Sequence, residues 1–217
     1  MGYGFARFRF RGKGVFLAIL LFSIIVPPQM ITVPTYINFK DFDIMGLMTA
    51  LTGHGTGVSL LNNPISFYFM AVLGQGIRSG LFILLFMQFY KGMAQDLENA
   101  ALVDGCGDLR TYFLIMLPNA RNVILIVSLL SIVWYWNDYY MSSIYLAGFP
   151  TAATQLANFR ASLESFMSAA GNNAFDPYAI VAMEQAACLL TIAPLLLFYI
   201  ITQRYFMLSI VKSGLVG

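Results

Sequence analysis

The sequence predicts an all-α, polytopic membrane protein built around four spanning helices. Three observations carry that expectation. Apolar residues make up 59% of the 217-residue chain and charged residues only 10%, with a mean hydropathy of +0.74. Soluble domains carry about 25% charged residues, so lipid is the expected solvent here. Four apolar runs, at 14–33, 65–90, 123–146 and 178–201, reach the roughly 20 residues that a spanning helix needs. The basic residues also segregate: nine fall on one side of these runs, two on the other and one within a span.

In chain order, Arg7, Arg9, Arg11 and Lys13 precede the first run and read as a cytoplasmic anchor. No small-residue cleavage site follows that run, so it is not a removable signal peptide. Pro27-Pro28 must bend or end the first span near its outer end. The segments 34–64 and 147–177, rich in Gly, Asn, Thr and Pro, are expected as external loops. Within the second, Leu156, Phe159, Leu163 and Phe166 or Met167 have the spacing of a short amphipathic helix over 155–167. Lys91, Arg110, Arg121, Arg204 and Lys212 join the N-terminal cluster on the cytosolic side, whereas Lys40 and Arg160 lie outside. Both ends of this chain are therefore expected in the cytosol, and the whole chain, 1–217, as one helical domain. No internal repeat is apparent, which removes support for an inverted-repeat transporter plan.

Composition narrows the function. The net charge of +2, with no basic run interleaved with aromatics, gives no support for nucleic acid. Cys106 and Cys188 have neither disulfide-framework nor zinc spacing, and His54 is alone in a GHGTG segment, so no metal is expected.

The most informative stretch is a polar island, 96–118, within the cytoplasmic loop 91–122 between the second and third spans. Its segment 95–103 has helix-forming composition, Gly105 and Gly107 supply a turn, and Asp108 is suited to cap a second helix. That second helix would carry Leu109, Phe113, Met116 and Leu117 as one apolar stripe, with Pro118 starting the third span. Ala100 and Ala101, if exposed, allow a partner to approach closely. The chemistry alone fits either a docking helix or an interfacial helix resting on lipid headgroups.

Arg78, Asp138 and Glu184 lie inside predicted spans, where each charge costs about 2.5–3.5 kcal/mol unless it faces protein or water. At about 1.5 Å per residue, the two acids sit roughly 10–12 Å below the outer edge and Arg78 roughly 20 Å below it. Two readings stay open: an internal ion pair joining the spans, or a polar lining along a translocation path. Trp136 and Asn137, beside Asp138, suit sugar stacking and hydrogen bonding and complete the candidate path. Gly76 and Gly80 form a GxxxG spacing that permits close helix packing.

These residues carry a family resemblance. The island resembles the cytoplasmic loop of permease subunits in binding-protein-dependent ABC importers, whose pattern is Glu-Ala-Ala, three residues, Gly, nine residues, Ile-x-Leu-Pro. Ala100, Ala101, Gly105, Ile115, Leu117 and Pro118 fall at every spacing of that pattern, and Asp104 before the Gly is similar to the carbohydrate, maltose-type branch. Asn99 stands where the motif has its glutamate, with Glu98 one residue earlier. The stretches Phe5–Lys13, Val26–Tyr36, Trp136–Asp138 and Gln203–Gly217 resemble further segments of the same branch.

The resemblance implies a type I importer permease (MetI-like) fold with four of the usual six spans. The first residues match the end of the second span, as in a chain truncated at its N-terminus. It further implies a bacterial or archaeal inner-membrane location, a second permease subunit forming a heterodimer, a cytosolic ATPase dimer and an extracytoplasmic solute-binding protein. ATP is used by the ATPase subunits: no cofactor is expected on this chain, which has no GxxxxGK[ST] phosphate loop and is not expected to be an enzyme. In such systems ATP binding closes the ATPase dimer, draws the coupling helices together and switches the permeases between inward- and outward-facing states. The residues implied for ATPase docking are Glu98, Asn99, Ala100, Ala101, Asp104, Gly105, Ile115, Leu117 and Pro118, with the tail 204–217 as a second contact. An ion-gradient-driven secondary transporter is the alternative, supported only by the intramembrane charges. A hydrolase within the membrane would need a Ser/His, paired-Asp or His–metal set, and no convincing one occurs.

Overall fold

The computed structural model describes residues 1–43, 58–169 and 176–214, with side chains to residue 203. His54 and the side chains of the tail therefore lie outside the described residues. The described elements are helical apart from one isolated bridge, Phe42 with Val58. The chain divides into two compact units. One is formed mainly by Met1–Ile31 and Phe69–Ile132, the other mainly by Thr32–Tyr68 and Val133–Leu208.

In the first unit, α1 (Gly2–Arg7) packs against α5 (Ser79–Gly92). A Cβ on Gly2 would lie 2.5 Å from Phe86 Cβ and 3.1 Å from both the Ile83 carbonyl oxygen and the Met87 nitrogen, so only glycine permits this approach. Buried Tyr90, Met116, Ala120 and Val123 form the centre of the unit, with Tyr3 and Tyr112 packed against them. Helix α2 (Lys13–Ile25) follows Gly12, whose φ is +87°, and ends at Val26 just before Pro27-Pro28. A Cβ on Gly80 would meet Ile24 Cγ1 at 2.8 Å, so this half of the GxxxG spacing does serve close packing of α2 on α5.

The expected span at 65–90 is interrupted in its backbone, which forms α4 (Ile65–Val72) and then, after a break, α5. Gly74 (φ +76°) and Arg78 (φ +59°) are both left-handed, which an α-helix cannot accommodate. Among the described residues, only Pro177–Gln203, within α11 (Pro177–Gly214), is by itself long and apolar enough to cross a membrane. Two bent pairs pass the same test if each is one span: α2 with α3 (Gln29–Lys40), and α7 (Asp108–Asn119) with α8 (Arg121–Trp136). Helix α3 also occupies part of the expected external loop, carrying Pro34 inside it.

The second unit is tied by polar bonds as well as rings. The Tyr145 hydroxyl donates to the Thr32 carbonyl at 3.3 Å, and its ring meets those of Phe39 and Phe67 edge-on. Asn62 (φ +59°) donates its backbone N–H to the Tyr145 carbonyl at 2.8 Å and accepts the Gly148 N–H on its side chain at 2.8 Å. The amphipathic helix expected over 155–167 is present as α10 (Ala152–Ala169). Its start is held by Thr151 and Thr154, each side-chain oxygen accepting the other's backbone N–H at 3.3 and 3.0 Å, the logic of a capping box.

Candidate functional site

The polar island folds as a helical hairpin of α6 (Asp96–Val103) and α7. The turn is a Schellman motif: Cys106 N–H donates to the Ala101 carbonyl at 2.9 Å and Gly105 N–H to Leu102 at 3.1 Å. Gly105 sits at φ +78°, so the motif glycine is required by backbone geometry. The second helix is capped by Gly107, not by Asp108, which is its first residue and makes no side-chain cap bond. Pro118 does not open the third span either: it closes α7, before a 70° bend that precedes α8 at Arg121.

The apolar stripe expected on α7 is split. A π-helical turn over Tyr112–Met116 widens one turn, so Thr111 and Met116, five apart, share the buried side with Ala120. Leu109 (76% exposed) and Phe113 (60%) are left facing outward together with Leu114. On α6, Ala101 is buried at 2% and cannot meet a partner directly, whereas Asn99, Ala100 and Asp104 are exposed. Val103 (87%) and Leu102 add to the exposed apolar surface around the turn. The sequence signal for these two was present, an apolar pair directly ahead of Asp-Gly in a polar segment. Ile115 and Leu117 are half-buried, and the Ile115 carbonyl accepts the Asn119 side-chain amide at 2.9 Å.

Glu98 faces inward. Its Oε1 lies 3.2 Å from Arg7 Nε, with the two side chains 14% and 12% exposed. The approach is an ion pair without hydrogen-bond alignment, since neither atom has a hydrogen-bond partner. Arg7 Nη2 donates instead to the Met93 carbonyl at 2.7 Å. Tyr3 lies in the same pocket; burial first, and then the charge of Glu98 and a hydrogen bond to it, push its pKa up from 10.0 to about 12. Because the folded value is raised, this group's contribution to stability is present below pH 10 and is lost as pH rises through about 12. Ultraviolet titration of the wild type against Tyr3→Phe should therefore place one phenol above the ordinary range. Glu98→Gln should lower it only part way, because the burial remains.

The candidate path residues are held by bonds of their own. Trp136 Nε1 donates to the Thr191 carbonyl on α11 at 3.1 Å. Asn137, itself exposed, bonds back to the Val133 carbonyl at 2.8 Å and finishes α8. Asp138 caps α9 (Tyr140–Tyr145), accepting Ser142 N–H and Oγ–H at 2.8 and 3.0 Å and Met141 N–H at 3.3 Å. Glu184 lies 3.8 Å from Arg160 on α10. Both acids thus have partners within their own unit. Arg78 occupies the left-handed position ahead of α5. Among the described residues, no group of His, Cys, Asp and Glu could hold a metal ion.

Comparison with known proteins agrees with this geometry. Residues 1–212 match the family described as binding-protein-dependent transport system inner membrane component. A Bacillus subtilis (strain 168) protein described as a probable ABC transporter permease protein, YurM, is 24% identical over 217 residues, covering 99% of this chain and 61% of the relative. The B. subtilis polygalacturonan/rhamnogalacturonan transport system permease protein YtcP is 27% identical over 222 residues, covering 100% of this chain and 68% of its own length. The crystal structure of a bacterial ABC transporter involved in the import of the acidic polysaccharide alginate shares the fold, with a TM-score of 0.66 and 23% identity over 94% of this chain and 66% of that chain. The chain thus spans between 61% and 68% of the length of these proteins. With its family match running from residue 1 to 212, this all-α membrane chain belongs to the binding-protein-dependent transport system inner membrane components.

Proposed function

We propose that the chain acts as a permease subunit of an ATP-driven importer and recruits a cytosolic ATPase through the α6–α7 hairpin. The observation that carries this reading is the exposed apolar surface of Leu102, Val103, Leu109, Phe113 and Leu114 around the turn of the hairpin. An interfacial helix would bury such a surface in lipid. Here it flanks Asn99, Ala100, Asp104 and Gly105, the residues at the motif spacing, so a protein partner fits it better. The small exposed Ala100 permits the close approach, and Asn99 supplies the polar contact in place of the motif glutamate.

Carbohydrate is the proposed solute class, on the strength of the relative named for polygalacturonan/rhamnogalacturonan transport. The ATPase pair hydrolyses ATP, a second permease completes the path and an external binding protein delivers solute. Both chain ends and the hairpin are assigned to the cytosol, by the distribution of Lys and Arg. Ion-gradient transport would draw on the intramembrane acids, but Asp138 is engaged as a helix cap and Glu184 neighbours an external-helix arginine. The test is co-purification of the ATPase from membranes containing all subunits: the wild-type chain should retain it, and a chain lacking 98–105 should not.

A further inference from the structure

Arg7 is the residue through which the N-terminal helix holds the hairpin. Its guanidinium reaches two elements on either side of one corner. Nη2 donates at 2.7 Å to the carbonyl of Met93, the residue that ends α5, while Nε stands 3.2 Å from Glu98 in the first turn of α6. Only residues 93–95 separate these elements, so a single planar, multi-donor group fixes the angle between them. Both charged side chains are largely buried, which makes each dependent on the other. The far end of the same device is rigid, because α1 is pressed on α5 at Gly2 with no room for a Cβ.

We propose that Arg7 is a positioning residue for the docking hairpin, and that Glu98 is its counter-charge and makes no contact with the ATPase. The inference rests on the reading of the hairpin as an ATPase-docking element. On this account α6, α5 and α1 move as one body when the ATPase moves the hairpin, and loss of either charge lets α6 swing at residues 94–95. A glutamate at the position of Asn99, one residue later, would turn about 100° around the helix and could not reach Arg7 in the same way.

The experiment uses the assembled complex in nanodiscs, with Arg7→Met, Glu98→Gln and the charge-reversed pair Arg7→Glu/Glu98→Arg. Two quantities are read: hydrogen exchange of the segment 94–104, and the ATPase rate as a function of ATP. Each single variant should speed exchange about tenfold and lower kcat about fivefold. KM for ATP should stay unchanged, because the nucleotide site on the partner is untouched. The reversed pair should recover at least half of the lost kcat, which a merely structural loss would not allow. Exchange at the wild-type rate in both single variants would overturn the proposal, as would accelerated exchange with full kcat. Glu98→Gln keeps the side-chain shape and serves if Arg7→Met fails to assemble. If the wild-type chain recruited no ATPase, the docking reading would fall, while the exchange measurement would still decide the role of the corner.

Discussion

Val103→Asp and Phe113→Asp are each expected to weaken ATPase association at least tenfold while leaving the chain itself folded. Both side chains are largely exposed, at 87% and 60%, so neither contributes much to the packing of the free subunit. Their substitution therefore separates docking from folding. Full burial of a side chain of this size against a partner stabilises a complex by about 1.5–3 kcal/mol. A carboxylate left in its place must also be desolvated, so a loss of about 2 kcal/mol or more is expected, the range of an interface hot spot. With about 1.4 kcal/mol for each tenfold change, the affinity should fall roughly 30-fold. Titration of purified ATPase against the chain in nanodiscs, alongside the thermal unfolding of the chain alone, checks both halves of the expectation.

Gly2→Ala is expected to destabilise the first unit, and Gly4→Ala to stabilise it slightly, although the two glycines lie in the same helix. At Gly2 the new methyl would meet Phe86 Cβ at 2.5 Å and two backbone atoms of α5 at 3.1 Å, none of them the end of a flexible side chain. The helix must shift, at a cost of about 1–3 kcal/mol for overpacking. At Gly4 the nearest neighbour is a Phe8 ring atom at 3.8 Å, an ordinary contact, so the helix gains the roughly 0.5–1 kcal/mol by which Ala exceeds Gly. For a chain of this size each kcal/mol moves Tm by about 2–4 °C. Thermal scans of the full chain should thus show shifts of opposite sign. Since α1 carries Arg7, Gly2→Ala should also loosen the hairpin.

Much of the hairpin was legible in the residues. Helix-forming composition, Gly105 and the motif spacing located α6, the turn and α7, and the Schellman bonds explain why that glycine is needed there. Its faces were not legible. An apolar stripe read at 3.6 residues per turn assumes a regular helix, and the π turn at Tyr112–Met116 shifts the register, burying Met116 and exposing Phe113. The inward turn of Glu98 was hidden for another reason: its partner Arg7 lies far away in sequence, and only packing brings them together. The break between α4 and α5 falls in the one polar stretch of its run, around Gln75 and Arg78, but its cause lies in the left-handed backbone of Gly74 and Arg78, which composition does not reveal. Trp136-Asn137-Asp138 were conspicuous for their chemistry; Asn137 and Asp138 bond locally at the joint between α8 and α9, whereas the Trp136 bond to Thr191, far off in sequence, could not be read. The amphipathic α10, by contrast, depends only on periodicity and a local cap, and its position could be read directly.

The amount of ATPase recovered with the chain lacking 98–105, relative to wild type at equal permease recovery, bears most directly on the coupling role of the hairpin. Removing α6 from Glu98 onward together with the Schellman glycine should reduce that recovery to background. Undiminished recovery would contradict the assignment of this hairpin as the site where the ATPase docks.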